Sequence, residues 1–457
     1  MNFKMMPLLT YAVYIVLLVL LVWGGKIATK KKTTDGFHDD FMSLEVTKSL
    51  RGLAAIGVIL HHISQEALFQ QCKELSFFVN AGYFFVAIFF FCSGYGLIKN
   101  LDTKPGYMNG FLKKRLPVIL VPYYVSALLY FIFRFFICKE KMPPAQIVTG
   151  LLGLTMMNEY AWYPVILFLL YLVFFILFRK DTGKGRAPKL FMMFIFIIFL
   201  GMVFCVNGHF AWWAKKGLWW KMGAFDNAKW WMHEKMLLFS GEWWVNSPIA
   251  FLIGMIFANS EQSIVKFMKK LYPLKLIVVV ALFFAARILS GFAQFKFGYW
   301  TIEWNPNAKD PEIMKKVITL FCQMPEVVLF VILIFMIMMK FHTVDPVTKF
   351  FGKISLDTYL MNLMALQIFR FLLYGKAGNS IVKPYHSNCI IFFICVFAAT
   401  IVLGLIFKLI CDGIMRVIAG KNAKKVLKEK AEQGSKDKFE AVLDKTPNVE
   451  PEPYDKK

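Results

Sequence analysis

At 457 residues, with 58% hydrophobic and 17% aromatic side chains and a mean hydropathy of +0.55, the chain is far too apolar for a soluble domain of its length. A formal net charge of +24 would suit a nucleic-acid binder, but the basic residues sit in short loops between apolar runs and in the carboxy-terminal stretch, a distribution that sets membrane topology. The eight cysteines form no CxxC pair and mostly lie inside apolar runs, which argues against a metal or disulfide framework.

A bilayer core asks for about 20 apolar residues per helix, and eleven spans are predicted. The first, Pro7 to Trp23, has no small-residue cleavage site behind it and is followed by Lys26, Lys30, Lys31 and Lys32, so it reads as an uncleaved span with its amino terminus outside. A basic, polar inner linker runs to about Thr47. Span two is Lys48 to Gln65, span three about Phe77 to Ile98, and span four Pro117 to Ile137 beyond the basic loop Lys113, Lys114, Arg115. The segment QIVTGLLGLTMM that follows is too short to cross and reads as interfacial or re-entrant.

Span five is Trp162 to Phe178 and span six Leu190 to Val206, joined by the strongly basic RKDTGKGRAPK. The loop Asn207 to Asn246 holds four Trp pairs, read as an interfacial belt, with an aromatic platform for an acceptor as the rival. Spans seven to eleven are about Ser247 to Asn259, Leu274 to Phe292, Val317 to Met339, Ile354 to Tyr374 and Cys389 to Cys411. Beyond Gly420 the chain is a mixed-charge tail with almost no apolar periodicity, read as disordered and cytoplasmic. Three regions follow: 1–43, the extra first span and its linker; 44–412, the membrane core; and 413–457, the tail.

Charges inside apolar spans are costly and usually turned inward for a reason. In KSLRGLAAIGVILHHISQE, Lys48 to Glu66, the eleven steps from Arg51 to His62 make three helical turns and roughly 20°, so the two share a face some 16 Å apart along the axis. Glu66 falls one turn beyond His62 on the same side and is placed to orient it. Neutral imidazole can take a proton from an attacking hydroxyl. The plainer alternative is an interfacial Arg anchor with a His pair at the helix end. Arg134, Arg287, Glu326, Asp357 and Arg370 are the other intramembrane charges. Arg134 is expected to snorkel, and Glu326 to pair with Arg287 or Arg370, with a proton-coupling role as its rival. No GxSxG, HExxH or phosphate-loop motif is present. Ser93 and Gly94 of CSGY read as a helix-packing notch before a nucleophile site.

These residues resemble those of the bacterial integral-membrane acyltransferase type 3 family. The likeness rests on Arg51 and His62 separated by ten residues, on FFFCSGYGLI at Phe89 to Ile98 and on FLKKRLPVILVPYY at Phe111 to Tyr124, with weaker echoes at Ala161 to Phe174, Ile249 to Ala258 and Phe351 to Leu363. The resemblance implies an all-α polytopic bundle of ten core helices preceded by the extra span. It implies transfer of an acyl group, commonly acetyl from acetyl-CoA, to a hydroxyl of an envelope glycan or similar acceptor, at the inner membrane. His62 would then be the catalytic residue as base or acyl carrier, Arg51 its motif partner and Glu66 its support. Arg115 with Lys114, and Ser93 with Gly94, would contribute to the donor site, with no permanently bound cofactor, no metal and no nucleic acid. Two departures stand out: Ile119 replaces a second Arg before Pro122, and Asn362 stands where the late motif often has His. The rival class is a transporter or flippase of a lipid-linked or polar substrate, built on Glu326 and the intramembrane arginines.

Overall fold

The computed structural model describes residues 6–31, 33–66, 75–142, 144–152, 156–158, 160–207, 246–297, 313–374 and 389–418. The Trp-rich loop and the charged tail of the sequence reading lie outside the described residues. The helices are α1 (Met6–Val22), α2 (Leu44–Ser64), α3 (Ser76–Val79), α4 (Gly82–Thr103), α5 (Phe111–Ile132), α6 (Pro144–Leu151), α7 (Trp162–Phe178) and α8 (Ala187–Asn207). They continue as α9 (Ile249–Asn259), α10 (Glu261–Lys269), α11 (Tyr272–Phe297), α12 (Ile313–Lys340), α13 (Pro346–Lys353), α14 (Ser355–Tyr374) and α15 (Cys389–Ile418). Two compact units divide the chain, residues 1–408 and 409–457.

Each of the eleven predicted spans overlaps a helix, with span three running over both α3 and α4, but the count of eleven crossings is not established by this. Five helices are long and apolar enough to cross a membrane by length and composition, namely Gly82–Thr103, Phe111–Ile137, Tyr272–Phe297, Val317–Lys340 and Ile390–Ile418. Four shorter apolar helices lie at Tyr11–Val22, Trp162–Phe178, Ala187–Met202 and Ile249–Asn259. The chain is thus a multi-pass membrane protein, and α11 carries the lipid-type surface plainly, with Leu282, Phe284, Ile288 and Phe295 all exposed.

The segment read as an inner linker holds structure that the all-α reading omits. Gly25–Ile27 (β1) pairs antiparallel with Phe341–Thr343 (β2), with Lys26 opposite His342. The turn into β1 needs Gly24: its φ is +79° and a Cβ there would overlap the Val344 carbonyl oxygen. Three more bonds fasten the following loop. Ala28 N–H donates to Lys340 O at 2.9 Å, His38 N–H donates to Met339 O at 2.9 Å, and Lys269 of α10 reaches Asp35 at 2.5 Å.

Local chemistry sets α2 and its partner α13. Ser43 caps α2 by accepting from Val46 N–H at 3.3 Å, with Glu45 in the first turn. Asp345 caps α13, accepting from the Val347 and Thr348 amides at 2.9 Å, and Pro346 occupies the first turn, where no amide is needed. The two helices then meet backbone to backbone, because a Cβ on Gly52 would overlap Thr348 O and one on Gly352 would overlap Lys48 O. The buried Ser49 and Thr348 hydroxyls are bonded across that contact. Helices α4 and α9 repeat the device: Gly94 faces Phe251 O and Gly254 faces Phe91 O. The close contacts of α2 with α4, α13 and α14 put the His-bearing helix at the centre of the bundle.

Candidate functional site

His62 lies in the last turn of α2 and is 8% exposed. Its Nδ1 is 2.7 Å from Oδ1 of Asn362, which projects from α14 and is fully buried. The hydrogen-bond pattern assigns the ring's tautomer. Thr400 of α15 donates its single hydroxyl hydrogen to Val396 O at 2.8 Å, so it can only accept from Asn362 Nδ2, at 3.1 Å. That fixes the amide with its oxygen toward His62, and an oxygen there requires Nδ1 to carry the proton. Nε2 therefore keeps its lone pair, and among the described residues it has no hydrogen-bond partner. Tyr160, just before α7, stacks on the imidazole with centroids 3.9 Å apart and planes 26° apart, so the ring is held by its edge and by one face.

Glu66 has a different partner from the one expected. Both of its oxygens are taken by the Arg370 guanidinium of α14, Nε donating to Oε2 at 2.8 Å and Nη2 to Oε1. Both side chains are buried, at 5% and 8% exposed, and the group that orients His62 is Asn362. The His62–Asn362 and Glu66–Arg370 contacts advance together along the two helices, so α2 and α14 run in the same direction. The neighbouring His61 is turned elsewhere: its Nδ1 lies 2.7 Å from Phe78 O and its ring covers Gly82.

Arg51 occupies the other end of the same helix face, half-buried, with Nε donating to Thr47 O at 3.4 Å. It lies within electrostatic reach of Cys92 on α4 and Tyr163 on α7. Ser93 is bonded to the Tyr171 hydroxyl of α7 at 2.8 Å, whereas Gly94 is filled by the α9 backbone and belongs to helix packing. Arg115 donates to the Tyr107 hydroxyl at 2.8 Å, and Lys114 beside it is exposed. Burial raises the Tyr107 phenol, against the pull of Arg115, so the hydroxyl stays neutral. Phe111 packs on Tyr171 at 6.0 Å, and Tyr163 on Tyr359 of α14 at 5.9 Å. A series of tyrosines, 107, 171, 163, 359 and 160, thus leads from Arg115 past Arg51 to His62.

Glu326, Arg287 and Arg134 are each paired. Glu326 of α12 is fully buried, and its Oε1 accepts from Arg287 Nη1 and from Tyr83 OH, each at 3.0 Å. Arg134 is held bidentately by Glu140 at 2.6 and 2.8 Å. Sequence reasoning missed Tyr160 and Thr400, for which no pattern speaks. Asn362 was visible as the residue that stands where the late motif often has His, though not as the partner of His62.

A family model described as an acyltransferase domain matches residues 48–409. No curated protein and no solved structure matches the chain.

Proposed function

Since the chain belongs to the acyltransferase type 3 family, we propose that it is a multi-pass membrane O-acyltransferase that moves an acetyl group from acetyl-CoA to a hydroxyl of a cell-envelope glycan or similar acceptor, with His62 as general base. The observation that carries this reading is the Asn362–His62 pair, which leaves Nε2 as an idle, oriented base in a buried site.

In this reading the acceptor hydroxyl gives its proton to Nε2 as its oxygen attacks the thioester carbonyl carbon. The tetrahedral intermediate then collapses with cleavage of the C–S bond, and the proton on Nε2 passes to the departing CoA sulfur. Asn362 steadies the imidazole throughout, accepting from Nδ1–H in both the neutral and charged ring. The tyrosine-lined way from Arg115 and Lys114 past Arg51 supports entry of the anionic donor from the cytoplasmic face of the inner membrane. Guanidinium groups suit its phosphates. Ser93, bonded to Tyr171, lies beside that way.

The test is acetyl-CoA turnover by purified protein in liposomes with extracted envelope glycans, His62→Ala beside wild type. Loss of about 10²- to 10⁴-fold in the variant with insertion intact is expected for removal of a general base. Equal turnover in the two proteins would overturn the assignment.

A further inference from the structure

The bonded loop between α1 and α2 brings three metal-binding side chains to one point. His38 and Asp40 lie on that loop, and His342 lies on β2, 304 residues beyond His38 in the sequence. One ligand atom from each falls within 4.8 Å of the others. We propose that His38, Asp40 and His342 bind a zinc-type divalent transition-metal ion, which clips the segment after α1 onto β2 and the end of α12.

The two histidines are prepared for it in different ways. His38 Nε2 lies 3.1 Å from the carbonyl oxygen of Lys26, so it carries the proton, and Nδ1 keeps a lone pair 3.9 Å from Asp40 Oδ1. A ring N–H donated to a backbone carbonyl is the usual second contact of a metal-bound histidine, since it fixes the ring and points the other nitrogen at the ion. His342 is 3% exposed, and neither of its ring nitrogens has a hydrogen-bond partner among the described residues. The Met338 carbonyl lies near this ring without meeting hydrogen-bond geometry. Leaving buried polar atoms unpaired is costly, so an imidazole buried this way calls for a partner. The His38 and His342 ring centroids are 4.2 Å apart and Asp40 lies at the open side, its side chain 60% exposed.

Two imidazoles and one carboxylate suit zinc, cobalt or nickel and leave a coordination position for water. Ligand atoms around a tetrahedral zinc stand about 3.3–3.5 Å apart, so a small inward shift of the exposed Asp40 side chain and its loop completes the set. Lys26, opposite His342 in the ladder, works against a cation here, and the Asp40 carboxylate offsets one charge. The site joins a residue within the matched acyltransferase region to two that precede it. Nothing in the cysteine spacing points to such an ion.

The full-length protein in detergent, stripped with EDTA and dialysed, is titrated with Co²⁺ as a spectroscopic stand-in for zinc. One equivalent with visible d–d absorption is expected. His38→Ala and His342→Ala should each weaken binding at least about 100-fold and Asp40→Asn about tenfold. His38 is only part-buried, so His38→Ala should melt as the wild type does in EDTA, and this variant separates ligand loss from misfolding. Metal should also slow amide exchange over residues 24–40 in the wild type and leave it unchanged in His38→Ala. Failure of the wild type to retain an equivalent, or retention by both histidine variants, would overturn the proposal.

Discussion

Replacing Asn362 by Leu tests the arrangement at His62 without touching the imidazole. The substitution keeps the branched shape and heavy-atom count of the side chain, with bulkier methyl ends, and removes both amide functions, so Nδ1–H loses its acceptor and Thr400 loses a donor in a site where Asn362 is fully buried. An unpaired buried donor costs about 1–3 kcal/mol. That same free energy favours the tautomer with a free Nε2, because the alternative places a lone pair against the amide oxygen. Converted at 1.4 kcal/mol per tenfold, this is about 5- to 150-fold in the tautomer ratio, and because the charged ring formed in the transition state needs the same acceptor for Nδ1–H, a loss of that order should appear in kcat. Acetyl-CoA consumption with extracted glycan as acceptor measures it, and the KM for acetyl-CoA should stay within about twofold because the donor-side groups are unchanged. Asn362→Asp keeps an acceptor for Nδ1 and gives Thr400 a second one. It should hold activity within about tenfold, with some loss of stability from the added buried charge. A folded Asn362→Leu protein with wild-type kcat, or one altered only in KM, would refute the reasoning.

Breaking the Glu66–Arg370 pair from one side, by Glu66→Gln or Arg370→Met, should cost about 3–5 kcal/mol and lower the melting temperature in detergent. Glu66→Leu combined with Arg370→Leu should recover much of that loss, since no uncompensated charge remains. Gly52→Ala should destabilise by about 1–3 kcal/mol through overpacking, whereas Gly96→Ala, with open space around its would-be Cβ, should be neutral or stabilising by up to about 1 kcal/mol. Asp181 is raised by burial but more strongly lowered by the Arg186 and Lys189 bonds, so its folded value lies below the ordinary carboxyl value. Its contribution is therefore full above about pH 4 and fades as pH falls through the folded value. Melting curves of wild type and Asp181→Asn should differ at neutral pH and converge in acid.

Helix positions were largely legible because apolar runs of bilayer length leave little freedom: α7 begins and ends where hydropathy places it, at Trp162 and Phe178. The Arg51–His62 face was legible for the same reason, since helical spacing is fixed by backbone geometry. Partnerships between helices were not. Glu66 lies four residues from His62 in sequence, yet its carboxylate goes to Arg370, because a bidentate guanidinium neutralises a buried charge where a neutral ring cannot. The β1–β2 ladder escaped notice because three residues carry no usable periodicity. Gly94 bears out the packing notch read from CSGY, since the space above it belongs to Phe251.

Glu326 distinguishes catalysis from transport most directly. A proton-coupled transport mechanism needs an intramembrane acid whose charge changes during the cycle, whereas Glu326 has one oxygen fixed by Arg287 and Tyr83, and its Oε2 has no partner among the described residues. Neutralising it leaves Arg287 without its counter-ion, so Glu326→Gln should cost up to about 3–5 kcal/mol, reduced because Arg287 is 37% exposed. His62 and Asn362 are hydrogen-bonded independently of this group, so acetyl transfer per folded molecule should stay within about threefold of wild type, as for sites with no shared partner. Turnover normalised to correctly inserted protein measures this beside His62→Ala. If Glu326→Gln abolished turnover while His62→Ala preserved it, the Glu326–Arg287 pair would be the working part of the molecule, and the assignment of His62 as the base would fail.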